Sequence, residues 1–262
     1  MINHSFAVMA YKDSPYLADC LDSLRSQTTG SQIFITTSTP SRYIDDIAKK
    51  YGVQVFGTEP GLGLAHDWNF SFSVAKTKYV TLAHQDDIYE PIYTERCVSA
   101  AEKFNDTLIC FTGYSELTND RERKNTLMLN TKKLIHFFFM PFEKNIRNRF
   151  WKKASLSFGS PIPCPSVMYN KEMLANFAFS EKYKINVDWD AWLRMASLRG
   201  RFVYVPEILL KHRIHTASAT TGGLKENIRQ QEDLEIFNRI WPAFMAKLLS
   251  KFYSRSYTSN EA

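Results

Sequence analysis

The opening hundred residues alternate between short apolar runs and segments with apolar positions every three or four residues. Phe6 to Ala10, Gln32 to Thr37, Val53 to Phe56, Tyr79 to Ala83 and Leu108 to Tyr114 are the short runs. Their length and nearly continuous hydrophobicity predict strands buried on both faces of a sheet. Leu17, Cys20, Leu21 and Leu24 fall at helical spacing, as do Ile44, Ile47, Ala48 and Tyr51. So do Leu64, Trp68 and Phe72, and then Tyr93, Cys97, Ala100, Ala101 and Phe104. Asp13 or Ser14 is expected to cap the first helix, with Pro15 in its first turn. Ser41 is expected to cap the second, and Gly52 to end it. This alternation predicts an α/β fold with a mainly parallel central sheet flanked by helices.

In such sheets ligands bind beyond the carboxyl ends of the strands. Tyr11, Lys12 and Asp13, then Thr36, Thr37 and Ser38, then His84, Gln85, Asp86 and Asp87 follow three of those ends. They are therefore expected along one rim. A glycine-bearing loop, Gly57 to Gly63, joins the third strand to its helix.

The second half is less regular. A helix is expected around Trp189, Trp192, Leu193 and Ala196, opened by Asp188 and closed by Gly200. Arg201 to Val205 and Ile208 to Ile214 read as two strands. From Leu224 a helical tail follows, with Phe237, Ile240, Trp241, Phe244 and Leu248 on one side and a kink expected at Pro242. No repeat or low-complexity stretch interrupts the chain.

At 262 residues the chain is long enough for one large α/β domain or two small ones. Its net charge of +6 is uneven: Arg121 to Lys153 holds ten Lys/Arg and two Glu, hence +8, leaving the rest near −2. That concentration predicts a local basic surface, not a general affinity for nucleic acid. His136 to Phe142 and Phe150 to Trp151 interleave aromatic residues with those cations. Such a segment suits an anionic membrane surface, with the C-terminal helix beside it, or a flap folded onto the core. No run reaches the ~20 apolar residues needed to span a bilayer. The four cysteines are widely spaced and form no CxxC pair. That pattern argues against a zinc site and suits free thiols in a reducing compartment. With no leader at the N-terminus, the expectation is a cytoplasmic protein, or one resting on the inner face of the membrane.

Three groups could carry chemistry. Asp86 and Asp87 directly follow a buried strand, where a hard cation could be held against phosphates; helix capping is the plainer role. Asp188 near a helix start could be a general base or another cap. Lys211, Arg213 and His215 alternate along a strand, so they could share a face and grip a diphosphate, or simply form a polar edge.

Together, these pieces resemble glycosyltransferase family 2, with the glycosyltransferase-A (GT-A) fold, over roughly Phe6 to Thr220. Phe6 to Lys12 and Tyr16 to Gln27 are similar to its first strand and helix. Gly61 to Ala65 with Trp68 and Asn69 resembles the loop and helix before its metal motif. His84 to Pro91 resembles a variant of its Asp-x-Asp-Asp motif, Val187 to Arg194 its Glu-Asp motif, and His212 to Thr220 its Arg-x-His-x-x-Ser segment.

The resemblance implies a Rossmann-like nucleotide-diphospho-sugar transferase fold. It assigns a donor half to residues 1–115, an acceptor half of the same domain to 116–220, and a helical tail to 221–262. Ser160 to Ser166 would form a wall on the acceptor side. It implies an inverting transfer of a sugar from a nucleotide diphosphate to a hydroxyl of a saccharide or lipid-linked saccharide, in bacterial surface polysaccharide synthesis. Asp188 would be the catalytic base. Ala10, Tyr11, Lys12, Asp13, Thr37, Ser38, Leu64, Asn69, Gln85, Asp86 and Arg213 would bind the donor, with Lys211 assisting. A divalent cation, Mn2+ or Mg2+, would sit on Asp86 and His215.

Three departures stand out. His84 occupies the place of the motif's first Asp, Thr36 to Ser38 replace acidic residues after the second strand, and Val187 replaces the Glu. The alternative is a non-catalytic nucleotide-sugar binding or assembly protein with the same fold. A nucleotidyltransferase would instead show a glycine-rich phosphate loop after the first strand, and Tyr11 to Pro15 contain no glycine.

Overall fold

A computed structural model describes residues 2–142, 144–215 and 227–254. The strands are β1 (His4–Ala10), β2 (Gln32–Thr37), β3 (Gln54–Gly57), β4 (Tyr79–His84), β5 (Ile88–Tyr89), β6 (Thr107–Thr118), β7 (Arg121–Arg123), β8 (Asn145–Ile146), β9 (Val167–Asn170) and β10 (Arg201–Arg213). The helices are α1 (Leu17–Arg25), α2 (Arg42–Tyr51), α3 (Leu64–Val74), α4 (Tyr93–Ala101), α5 (Leu127–Phe139), α6 (Arg149–Ser155), α7 (Val187–Ala196), α8 (Ile228–Ile240) and α9 (Ala243–Ser254).

One sheet runs in the order β3-β2-β1-β4-β9-β6-β10-β5, with β7 on β6 and β8 on β10. β1, β2, β3 and β4 are mutually parallel, and so are β6 and β10. β9 joins the two parallel blocks by pairing antiparallel with both β4 and β6. The register sets Met9 beside Thr36 and His84, so β1, β2 and β4 end level. That alignment creates the shared rim. Two apolar layers cover the sheet. One holds Leu17, Leu21, Ile35, Ile44, Tyr93 and Cys97; the other holds Trp68, Leu82, Phe111, Tyr169, Trp189 and Trp192.

Local chemistry sets several boundaries. Ser41 Oγ accepts the Ile44 N–H at the start of α2, and Gly52 ends that helix at φ +60°. The first helix departs from expectation. α1 begins only at Leu17 behind Tyr16, without a side-chain cap. Ser14 Oγ accepts the Tyr16 N–H, while Asp13 accepts the Ser41 hydroxyl. Ser14 is thus committed to the turn ahead of α1, and Asp13 to the start of α2.

The two strands expected between Arg201 and Ile214 are one. β10 stays paired with β6 through register shifts around Ile208, which absorb Pro206, a residue without an N–H to donate. Pro242 separates two helices instead of kinking one, because Trp241 is extended between α8 and α9. Asp188 lies inside the first turn of α7, behind an Asn186 cap position, so it is not the N-cap.

The basic aromatic segment folds into α5, β8 and α6. Leu129, His136 and Met140 face the core, while Phe137 and Phe138 face outward. All four cysteines are buried free thiols. Among the described residues, no helix is long and apolar enough to cross a membrane.

Candidate active site

The rim is built from the level ends of β1, β2 and β4. Tyr11 follows Ala10, and its backbone donates to Gln85 Oε1 (3.1 Å) and accepts from Gln85 Nε2 (2.9 Å). This double bond fastens the first rim loop to the acidic loop after β4. Lys12 takes φ +56° while its N–H donates to Thr39 Oγ1. Thr37 and Ser38 are buried at the end of β2. Leu64 opens α3 and is half-buried. Asn69 points elsewhere: its amide donates to the Phe179 carbonyl (2.9 Å) and accepts the Phe179 N–H (2.7 Å), tying α3 to the segment ahead of α7.

His84, Asp86 and Asp87 form the acidic centre. One ligand-type atom from each lies within 4.8 Å of the others. His84 Nε2 and Asp87 Oδ2 are buried and make no hydrogen bond among the described residues. A buried carboxylate oxygen and imidazole nitrogen without partners are costly unless a cation or water satisfies them. Two carboxylates and one imidazole are an acceptable donor set for a divalent ion such as Mn2+. His84, which replaces the first acidic residue of the motif, therefore joins the group that fits a metal.

The far end of β10 closes over this centre. His215 Nε2 lies 2.7 Å from Asp86 Oδ2. Asp87 Oδ1 accepts the Arg213 N–H (2.9 Å) and lies 2.9 Å from His212 Nδ1. Asp87 is wholly buried and is not a helix cap; α4 starts six residues later. Arg213 donates to the Asp86 carbonyl, Asp120 and Asp19, and its guanidinium lies 4.2 Å from the Tyr16 ring centroid. These contacts fix a planar cation beside the carboxylates. Lys211 turns away and pairs with Glu90 at 3.1 Å. Of the alternating face expected on β10, Arg213 and His215 reach the site and Lys211 does not. Thr216 to Thr220 lie outside the described residues.

Burial works against the negative charge of Asp86. The hydrogen bond from His215 and the nearby His84 and His212 imidazoles outweigh it, holding the carboxyl below its ordinary pKa. Burial likewise opposes a charged His212, but Asp87 and Asp86 raise its pKa to about 9. Asp188 behaves oppositely. Burial raises its pKa, and the nearby Arg229, Lys132 and His84 only partly offset this. The influence of His84 on Asp188 puts the two candidate centres in one electrostatic neighbourhood. Burial raises the Cys164 thiol well above its ordinary pKa, and the charges of Asp188 and Asp87 push the same way. Lys132 reaches this region from the inner side of α5 and donates to the Tyr114 hydroxyl.

The start of α7 is held from α8. Glu232 accepts the N–H groups of Lys184, Ile185 and Asn186, and Asp233 accepts from the Asn186 amide. The Ser160 to Ser166 passage is packed by aromatics: His136 meets the Pro161 carbonyl, Trp192 donates to that of Ile162, and Tyr89 donates to that of Pro165.

Sequence reasoning missed Asp67. Its Oδ2 accepts the Ser38 hydroxyl at 3.0 Å, and its Oδ1 is buried without a hydrogen bond. The carboxylate absent from the end of β2 is thus supplied to the same spot by α3. The signal available was its position, one residue ahead of Trp68 on the first turn of α3. His212 was also passed over, because alternation placed it on the opposite face from Arg213.

A mainly parallel sheet, a histidine-carboxylate centre at its rim and a return strand closing over it define the GT-A class of nucleotide-diphospho-sugar transferase folds. The mannosyltransferase PcManGT of Pyrobaculum calidifontis, solved with GDP-Man and Mn2+, superposes with TM-score 0.67 over 98% of this chain and 75% of its own, at 10% identity. Staphylococcus aureus TarS 1-349 with UDP-GlcNAc superposes with TM-score 0.62 over 98% of this chain and 73% of its own, at 13% identity. In sequence, a glycosyltransferase of Rickettsia typhi is 25% identical over 254 residues, covering 93% of this chain and 72% of the relative. The model of Glycosyl transferase family 2 matches residues 5–168, more than half of the chain, and the protein belongs to that family of glycosyltransferases.

Proposed function

We propose that the protein transfers a sugar from a nucleotide diphosphate to a hydroxyl of a saccharide or lipid-linked saccharide, with inversion at the anomeric carbon. The observation that carries this reading is the rim cluster of His84, Asp86 and Asp87, closed over by His215 and Arg213. Asp86 is held ionised by imidazoles, and Asp188 is made more basic by burial. Environments that push two carboxyl groups apart suit separate electrostatic and proton-accepting roles.

Asp86, Asp87 and His84 would hold a divalent cation, with His215 orienting Asp86 or joining the set. Such an ion supplies Lewis-acid stabilisation of the charge that develops on the leaving diphosphate. Arg213, fixed among Asp19, Asp120 and the Asp86 carbonyl, adds a stationary positive charge there. The rim from Ala10 to Asp13, with Thr37, Ser38, Leu64 and Gln85, would receive the nucleoside. Asp67 would offer its unbonded oxygen to a ribose hydroxyl or base N–H.

Asp188 accepts the proton of the attacking acceptor hydroxyl. Its raised pKa strengthens it as a base, and Arg229 and Lys132 oppose that rise by favouring the carboxylate form. The acceptor would approach from the α5 to α7 side. A role in assembling a cell-surface polysaccharide is part of this reading and rests on family membership.

A panel of UDP-, GDP- and dTDP-sugars with Mn2+ or Mg2+ tests the proposal. Thermal shift reports binding, because a ligand that binds only the folded state raises the melting temperature. Released nucleotide reports turnover. Metal-dependent hydrolysis or transfer that disappears in Asp188→Asn, with the thermal shift retained, supports the enzyme. Nucleotide-sugar binding without turnover under every metal would favour the non-catalytic alternative.

A further inference from the structure

Two surface features remain outside this chemistry, and they adjoin one another. The first is an aromatic ridge on α5 and α6. Phe138, Phe150 and Trp151 are 72%, 69% and 51% exposed. Their rings are not scattered. Phe138 touches Phe139, Phe139 touches Trp151, and Trp151 touches Phe150, with centroid separations of 5.2, 6.2 and 5.2 Å. Phe142, 90% exposed, lies just past the end of α5. A contiguous aromatic surface this exposed is a contact site for something other than water.

The second feature is a recess of about 330 Å3 bordered by Arg147, Arg149 and Arg199. Among the described residues lining it, Asp106 is the only acidic one, and it already bonds Arg147 and Arg201. Arg149 directly precedes Phe150 in α6, so ridge and recess share an edge.

We infer that the α5–α6 face docks onto an anionic lipid bilayer, with the aromatic ridge entering the interfacial layer and the arginine recess receiving a lipid phosphate. Charge complementarity selects this occupant. Residues 121–153, which carry the ridge and two of the three recess arginines, have ten Lys/Arg against two Glu, whereas the rest of the chain is slightly acidic. A second copy docking through the same face would set cation against cation. A bilayer rich in acidic headgroups accepts aromatic rings and arginines together.

The fold explains how α5 can serve this purpose. Its inner side is anchored by Leu129, His136 and the Lys132 bond to Tyr114, so the outward rings stand on a supported helix. α6 is anchored by buried Lys152, whose amine donates to the Leu198 and Gly200 carbonyls. The ridge is therefore held outward in the folded protein. The surface does not depend on the catalytic reading, because neither Asp86 nor Asp188 belongs to it.

Flotation of the full chain on vesicles tests the inference. Wild type should float with vesicles of mixed phosphatidylcholine and phosphatidylglycerol at low salt. It should stay in the soluble fraction with phosphatidylcholine alone, and be released by high salt. Phe138→Ser with Phe150→Ser and Trp151→Ser should lose at least tenfold in binding, and so should Arg149→Glu with Arg199→Glu. Both variants should keep the wild-type circular dichroism spectrum and divalent-metal-dependent nucleotide-sugar thermal shift. Wild type that never floats with the acidic vesicles overturns the proposal, as does equal flotation of folded variants. Light scattering that shows a dimer dissociated by the serine variant would overturn it too, by assigning the ridge to a second copy.

Discussion

Asp86 and His215 lie 129 positions apart in the chain, yet His215 Nε2 and Asp86 Oδ2 are 2.7 Å apart. One follows the fourth strand and the other follows the tenth, so the sheet itself brings them together. A hydrogen-bonded imidazole orients a metal-binding carboxylate and tunes its basicity, and losing such a partner commonly weakens metal affinity by about 10–100-fold.

His215→Ala should therefore raise the concentration of Mn2+ needed for half-maximal donor turnover by at least tenfold. Nucleotide-sugar thermal shifts at saturating metal should survive. An unchanged metal titration would remove His215 from the centre.

Asp188→Asn should reduce transfer by roughly 10²–10⁴-fold, the usual worth of a positioned base, with donor affinity within a factor of a few of wild type. Burial raises the Asp188 pKa, and only its ionised form accepts a proton. The wild-type rate should hence fall as pH drops through that raised value. In the Asn variant this acidic limb should vanish from the pH–rate profile.

Asp67 and Ser38 test the nucleoside end. If Asp67 Oδ1 receives a donor hydroxyl or N–H, Asp67→Asn should weaken nucleotide binding about tenfold or more, the scale of a hydrogen bond to a charged group. The rate at saturating donor should change little. Calorimetric titration with the preferred nucleotide reads this directly; equal affinity would give Asp67 a purely structural role on Ser38.

His4 gives the fold a pH dependence separate from catalysis. It is buried between Ser31 and Thr81, and burial lowers its pKa to about 3 from an ordinary 6.5. The folded state thus keeps His4 neutral where the unfolded chain would protonate it. Its contribution to stability is complete above pH 6.5 and is lost progressively as pH falls toward 3. By pH 5 that amounts to about 2 kcal/mol, or a few degrees in melting temperature, at ~1.4 kcal/mol per pH unit. His4→Gln should flatten this part of the melting curve against pH, whatever its absolute stability.

Gly200 sits at φ +125°, and a Cβ there would come within 2.6 Å of the Asp106 carbonyl and 2.8 Å of Leu108. Gly200→Ala should cost about 1–3 kcal/mol, visible in urea denaturation, because strained backbone and a fixed neighbour leave no relief.

Much of this was legible because it is local. Strand β2 appears at its expected limits and Ser41 and Gly52 bound α2 as expected, whereas α1 starts later than the cap expected at Asp13 or Ser14 and leaves Pro15 ahead of it. Asp86, Arg213 and His215 meet because each lies at or within two residues of a strand end, and strand ends are readable. Asp67 was not, since its relevance arises only when α3 packs its first turn against the end of β2. The hold of Glu232 on the start of α7 was likewise invisible: it joins segments 46–48 residues apart through three backbone N–H groups. Alternation failed on Lys211 because the nearby Glu90 captures its amine.

β10 occupies an interior place in the sheet, bonded to β6 along one side and to β5 and β8 along the other. Cutting the gene after the family-matched stretch would therefore strip a neighbour from β6 and leave its hydrogen-bonding groups open to other chains. A truncated version of that kind should precipitate on expression instead of yielding a miniature sugar-nucleotide binder.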